Sequence, residues 1–183
     1  MKYYKKIQGE RVYLSPLNMD DIDVFVDWFN EAHVMNNMDG WRYTNNSVTV
    51  KEWFQNRLKS EVEYDFAIVC KDTEKAIGWF CIIDIVHIHK IAEVGIFIGD
   101  DTKRGAGLGT EAMNLGLKYG FDALNFNNIH LRVFDFNERA KKSYEKAGFK
   151  EYGRRRQAYY LNGEYHDVIY MDILRQEYYG SDE

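Results

Sequence analysis

The chain has 183 residues, 45% of them hydrophobic and 29% charged, a globular composition with enough length to bury a substantial core, which excludes intrinsic disorder. Its 24 Lys and Arg against 29 Asp and Glu give a formal net charge of −5, a poor basis for holding a polyphosphate duplex, so no nucleic-acid partner is expected. One proline and no Ser/Gly/Pro-rich stretch leave no candidate linker, and a single domain over residues 1–183 is expected.

The basic start, Met1 to Arg11, lacks the apolar core and cleavage site of a signal peptide. No later run approaches the ~20 apolar residues that span a bilayer, so a cytoplasmic protein without a membrane partner is expected. Glu10 to Pro16 reads as a first strand, ended by a proline that cannot donate to a ladder. Ile22, Phe25, Val26 and Phe29 follow at helical spacing behind Asn18 as N-cap. A second helix is expected behind Thr49 and Glu52 as a capping box, with Val48 and Trp53 as its staple and Val50, Trp53, Phe54 and Leu58 as its buried stripe.

Asp65 to Cys70, Ala76 to Val86 and Ile91 to Ile98 are short β-branched runs and read as three consecutive antiparallel strands. In the third, Ala92, Val94, Ile96 and Ile98 share one face, and Glu93, Gly95 and Phe97 the other. Cys70 and Cys81 lie in these runs and read as buried reduced thiols. His87 and His89 stand two apart on one strand face, a candidate ligand pair, but no Cys or tight carboxylate cluster completes a tetrahedral set, so no metal is expected. A helix follows Gly109 with Met113, Leu117, Gly120, Phe121 and Leu124 on one stripe, and then a strand over Asn128 to Asp135. Asn137 caps a short helix whose inner face is Ala140, Tyr144 and Ala147, stopped by Gly148 and Phe149. Arg154 to Leu161 and Glu164 to Leu174 flank Asn162-Gly163, a type I′ hairpin signal. The order is β-α-α-β-β-β-α-β-α-β-β, a mixed α+β chain of about seven strands and four helices.

The most informative stretch is Arg104-Gly105-Ala106-Gly107-Leu108-Gly109, between a strand ending near Gly99 and a helix beginning near Thr110. Glycines there let main-chain N–H groups and the helix dipole approach an anion, and pyrophosphate is the natural guest. A nucleotide triphosphatase loop would need Gly-Lys-Ser/Thr, whereas Thr110-Glu111 follows Gly109. A dinucleotide loop would need G-x-G-x-x-G, against G-x-G-x-G here, which disfavours a nicotinamide-dependent oxidoreductase. Taken alone, the glycines fit a plain tight turn equally well.

The sequence resembles the GCN5-related N-acetyltransferase family. Its Arg/Gln-x-x-Gly-x-Gly/Ala motif is matched by Arg104, Gly107 and Gly109. Ala92-Glu93-Val94-Gly95 matches the preceding strand, and Asn137, Ala140, Tyr144, Glu145, Lys146, Gly148 and Phe149 match the closing motif. Arg11-Val12-Tyr13-Leu14 with Pro16-Leu17, and the hairpin Tyr160 to Val168, look most like the branch of ribosomal-protein N-terminal and spermidine acetyltransferases. The resemblance implies the family's twisted, mostly antiparallel sheet and acetyl-CoA-dependent transfer of an acetyl group to an amine by direct attack on the thioester. It implies that Gly105, Ala106, Gly107, Leu108, Gly109 and Thr110, with Arg104, bind the pyrophosphate. The main chain of Ile96, Phe97 and Ile98 would meet the pantetheine arm, assisted by Asn137.

Such a transfer needs a neutral amine, a polarised carbonyl and a proton for the leaving thiolate. Tyr144 is the general acid the resemblance implies, the alternative being core packing. Glu93, on the face opposite the wholly apolar one, is the candidate base, through water, against an ordinary exposed carboxylate. Asp84 is a further candidate, either a carboxylate for a cationic acceptor or an ordinary strand-end charge, and the carboxylates near the C-terminus could also help recruit a cation. Residues 137–160 carry eight basic against three acidic side chains, Lys142 among them, a possible contact for adenosine phosphates or simply a solvated face. The acceptor is left open between a polyamine, a protein N-terminus, an aminosugar and an aminoglycoside, with Glu31 to Asn46 as its selectivity wall. A homodimer or higher homo-oligomer follows from the resemblance, and a catalytically silent acyl-CoA-binding sensor is the alternative function.

Overall fold

Apolar residues on both faces of the central strands require cover on both sides, and the computed structural model, which describes residues 2–38, 40 and 43–180, supplies it. The elements are β1 (Ile7–Gln8), β2 (Val12–Pro16), α1 (Ile22–Asn30), α2 (Ala32–Met35), α3 (Ser47–Leu58), β3 (Tyr64–Cys70), β4 (Lys75–Val86), β5 (Ile91–Ile98), α4 (Leu108–Asp122), β6 (Asn128–Phe134), α5 (Glu138–Lys146), β7 (Lys150–Leu161), β8 (Glu164–Leu174) and α6 (Arg175–Tyr179). One eight-stranded sheet runs in the order β1-β2-β3-β4-β5-β6-β8-β7. The β5–β6 pair is parallel and the other neighbours are antiparallel. The mixed fold of the sequence reading is the observed one. Three pieces were not foreseen, β1, α2 and α6, which at two, four and five residues are too short to carry a period.

On one side of the sheet, α4 buries Ala112, Met113, Leu117 and Phe121 against Phe80, Val94, Ile129 and Leu131. Full burial of Met113, Leu117 and Phe121 is worth ~1.5–3 kcal/mol each. Gly116 lets this helix settle closely: a Cβ there would lie 2.0 Å from Cζ of Phe80. On the other side, α1 and α3 pack Phe25, Trp28, Phe29, Val50 and Phe54 onto Tyr13, Trp79, Cys81 and Phe97. The two faces assigned to β5 are the observed ones, since Ala92 and Val94 belong to the α4 core and Phe97 to the other. Cys70 and Cys81 are buried and free, and burial pushes the Cys81 thiol well up.

Several local expectations are corrected. The cap of α3 is Asn46, whose side chain accepts from the Val48 and Thr49 amides at 2.9 and 3.1 Å, while Thr49 Oγ1 accepts from the Asn46 amide at 3.0 Å. The helix therefore starts before Thr49, Val48 is exposed rather than stapled, and Leu58 is exposed too. In α1 it is Trp28, not Val26, that joins Phe25 and Phe29 inside. His87 and His89 do not share a strand face: they form a 3₁₀ turn, because β4 is irregular between Ile83 and Val86 and Lys90 takes a left-handed conformation. Asn162 and Gly163 have φ of 51° and 91°, as the hairpin reading requires. Among the described residues no helix is long and apolar enough to cross a membrane.

Candidate active site

The parallel pairing of β5 with β6 runs only from Ile91 opposite Asn128 to Glu93 opposite His130. Beyond it the strands part, so every second main-chain group along Gly95 to Ile98 lacks a strand partner on the β6 side. The loop that follows β5 returns to this opening, where a Cβ on Gly109 would lie 3.4 Å from Ile98 Cγ1.

The loop has the form of an anion cradle. Gly105 and Gly107 have φ of 77° and 80°, a region costly for other residues, and Gly105, Ala106 and Gly107 are exposed. Gly107 is the N-cap of α4, so the helix begins at Leu108, two residues ahead of the expected start. The amides of Leu108, Gly109 and Thr110 thus occupy a first turn in which no helical carbonyl can accept from them. Two left-handed residues followed by such amides fit a diphosphate. Arg104 is placed differently: its Nε donates to the Ile98 carbonyl at 3.1 Å and Nη1 lies 3.1 Å from Asp101, so its guanidinium braces the end of β5. The nearby cation is instead Arg139, whose Nη2 would lie 4.0 Å from a Cβ on Gly105.

The first turns of α4 and the body of α5 are joined by a hydrogen bond between Thr110 Oγ1 and Ser143 Oγ, 2.7 Å apart. Tyr144, next in sequence, packs partly buried against the α4 core, its ring 6.1 Å from that of Phe149. Desolvation pushes its phenol up to about 12. Asn137 accepts from the Ala140 amide at 3.1 Å, so its oxygen serves as the α5 cap. Lys142 is exposed on the same helix.

On the α1/α3 face, Glu93 is buried and Arg132 Nε donates to its Oε1 at 2.8 Å, with His130 Nδ1 3.9 Å from Oε2. It is not a solvent-facing carboxylate. Farther along β6, Phe134 stacks on Tyr159 with ring centroids 3.8 Å apart, and the Tyr159 hydroxyl donates to the Asn36 carbonyl at 2.8 Å. The C-terminal hairpin is thereby tied to the segment after α2. Asp135 accepts from the Asp167 amide at 3.0 Å and lies 3.1 Å from His166 Nδ1. Asp84 is exposed and has a φ of 49°. Within the basic stretch, Lys141 and Arg154 pair with Glu151, and Lys150 with Glu177. Asp39, Trp41 and Arg42 of the selectivity wall, and Asp182 and Glu183 near the C-terminus, lie outside the described residues.

Sequence reasoning missed Arg11, Glu111, Arg139 and Ser143. Glu111 Oε1 accepts from the Arg11 and Val12 amides at 2.7 and 3.1 Å, Oε2 pairs with Arg11 Nε at 3.0 Å, and Arg11 Nη1 donates to the Ala106 carbonyl at 2.7 Å. Partners 100 residues apart leave no local signal in one sequence.

An opened β5–β6 pair with a glycine cradle at its end is the arrangement of an acyl-CoA-dependent N-acetyltransferase. Residues 11–150 match the family model described as an acetyltransferase (GNAT) domain, and the chain belongs to that family. It is 32% identical over 167 residues to spermidine N(1)-acetyltransferase of Escherichia coli K12, covering 91% of this chain and 88% of that one. It is 33% identical over 135 residues to the enzyme of the same name from Vibrio cholerae, covering 73% and 76%. A crystal structure of Vibrio cholerae spermidine N-acetyltransferase in complex with CoA and spermine superposes with a TM-score of 0.86 at 27% identity, covering 94% of this chain and all of that one.

Proposed function

We propose that this chain transfers the acetyl group of acetyl-CoA to a primary amine of a polyamine. The carrying observation is the meeting of three parts at one opening: the cradle at Gly105–Thr110, the parted strands β5 and β6, and the Tyr144 helix, joined to α4 through Thr110 and Ser143. The names of the relatives support the polyamine.

Acetyl-CoA supplies the activated acyl group. The amides of Gly107 to Thr110 hold its diphosphate, with Gly105 and Ala106 shaping the cradle, Arg104 bracing it and Arg139 adding charge. The main chain of Ile96 to Ile98 orients the pantetheine arm as an added strand would be oriented, and Asn137 fixes the start of α5 beside it. Lys142 is held for the adenosine phosphates. Tyr144 keeps its proton at Oη through neutral pH and donates to the departing sulfur. A phenol at about 12 is a weaker acid than a thiol near ~8.5, so it stabilises the developing thiolate chiefly by hydrogen bonding. Arg132 occupies Oε1 of Glu93, leaving Oε2 to take the amine proton through water.

For the acceptor, Phe134 and the exposed Phe136 give aromatic faces at the end of β6, backed by the buried Tyr159, and Asp135 adds a partly exposed carboxylate, a chemistry suited to ammonium groups. Single-domain action over residues 1–183 and homo-oligomerisation are parts of the proposal supported by family membership alone. The test is coenzyme A release from acetyl-CoA across a panel of spermidine, spermine, N-terminal peptides, aminosugars and aminoglycosides. Turnover greatest with the polyamines is expected. Tight acetyl-CoA binding with no turnover on any amine would favour the sensor.

A further inference from the structure

We infer that Arg11 is a positioning residue that sets the orientation of the Ala106–Gly107 peptide, and through it the diphosphate affinity of the cradle. The inference rests on the reading of that loop given above. Arg11 stands just ahead of β2, and its guanidinium lies behind the loop: Nη1 holds the Ala106 carbonyl at 2.7 Å, and Nη2 would lie 3.4 Å from a Cβ on Gly107. A trans peptide is planar, with its carbonyl and N–H on opposite sides. Holding the Ala106 oxygen toward Arg11 therefore aims the Gly107 N–H the other way, where it joins the first-turn amides of α4.

Nothing in the loop itself secures that orientation. Glycines on both sides of Ala106 make rotation of its peptides cheap, and a rotated peptide would turn a carbonyl dipole, not an N–H, toward the anion. Arg11 is in turn immobilised. Glu111, in the first turn of α4, receives its Nε at 3.0 Å and its own main-chain amide at 2.7 Å. Burial acts to raise the Glu111 pKa, yet the Arg11 and Val12 amides and the Arg11 guanidinium hold it below the usual glutamate value. The pair also cancels a carboxylate that would otherwise stand at the helix end meant for an anion. A lysine has no fork with which to reach Ala106 and Glu111 together.

The test compares two thioester donors with one polyamine acceptor: acetyl-CoA, and S-acetyl-pantetheine, which lacks the diphosphate. For Arg11→Ala, KM for acetyl-CoA is expected to rise about tenfold, the loss of one charge-assisted hydrogen bond. The fall in kcat/KM should be at least about fivefold larger with acetyl-CoA than with S-acetyl-pantetheine, and Arg11→Lys should show the same selective loss in weaker form. Equal losses with both donors would mean that Arg11 only supports the fold, and no loss with either would mean it is idle; both overturn the inference. Should the alanine variant fail to fold, the lysine variant carries the same comparison. A wild-type enzyme that showed no preference for acetyl-CoA over S-acetyl-pantetheine would instead defeat the reading of the loop itself.

Discussion

Replacing Tyr144 by phenylalanine removes one hydroxyl and keeps the ring that packs against the α4 core. Among the described residues that hydroxyl makes no hydrogen bond, so no partner is stranded, and the loss of stability should stay below about 1 kcal/mol, a shift in Tm of a few degrees. The catalytic effect should be much larger. Full proton transfer from a phenol at about 12 to a thiolate of pKa near ~8.5 is uphill by roughly 5 kcal/mol. The hydroxyl therefore contributes at the lower end of general-acid effects, a fall in kcat of about 100-fold, or ~2.7 kcal/mol of barrier. The assay is initial-rate coenzyme A release at saturating donor and polyamine, with a thermal melt on the same sample. The pH profile gives a second arm. A phenol at about 12 stays protonated at every pH below about 10, so kcat should rise as the amine is deprotonated, with no descending limb in that range. An unchanged kcat in Tyr144→Phe at every pH would refute the role. A descending limb near pH 9 that vanished in the variant would refute the raised pKa.

Two further predictions concern stability. The Asp65 side chain is almost fully buried; Oδ1 accepts from Trp79 Nε1 at 2.9 Å and Oδ2 lies 3.6 Å from Arg57 Nη1. Burial pushes its carboxyl up to about 6, against the opposing pull of Arg57. A folded-state pKa above the unfolded ~3.9 contributes stability that is fully present below pH ~4 and lost as pH rises through about 6. Asp65→Asn should therefore stabilise the protein by about 1–2 kcal/mol near pH 8 and by nothing near pH 4, read by thermal melts at both; equal shifts would contradict the argument. Gly116→Ala would drive a methyl into the fully buried Phe80 ring, with Cβ 2.0 Å from Cζ. Overpacking of ~1–3 kcal/mol should exceed the ~1 kcal/mol gain in helix propensity, and an unchanged or raised Tm would show that the ring has room to move.

The legible parts of the fold were those with a long period or a stereochemical necessity. The β3–β5 meander, the α4 stripe and the Asn162-Gly163 turn could be read because alternation, helical spacing and left-handed backbone are written in adjacent residues. The start of α3 misled because Thr49 and Glu52 form a plausible capping box, while Asn46, three residues earlier, accepts from the Val48 and Thr49 amides and so starts the helix about one turn sooner. In the site, the left-handed backbone of the loop before α4 was legible from Gly105 and Gly107. Arg104 was expected on the diphosphate but is drawn back by the Ile98 carbonyl and Asp101, a competition settled only by the path of the chain after β5. Glu93 looked like a candidate free base because Arg132, its partner on the neighbouring strand, is 39 residues away. Arg11 and Glu111 were invisible for the same reason.

The central claim is geometric: the amides at the start of α4 grip a diphosphate while Tyr144 stands beside the sulfur. A crystal structure with coenzyme A and a polyamine tests it most directly. The account predicts the diphosphate within hydrogen-bonding distance of the Gly107 to Thr110 amides, the pantetheine arm along Ile96 to Ile98, and the Tyr144 hydroxyl in contact with sulfur. A diphosphate bound elsewhere, or a Tyr144 hydroxyl turned into the core away from the sulfur, would contradict it.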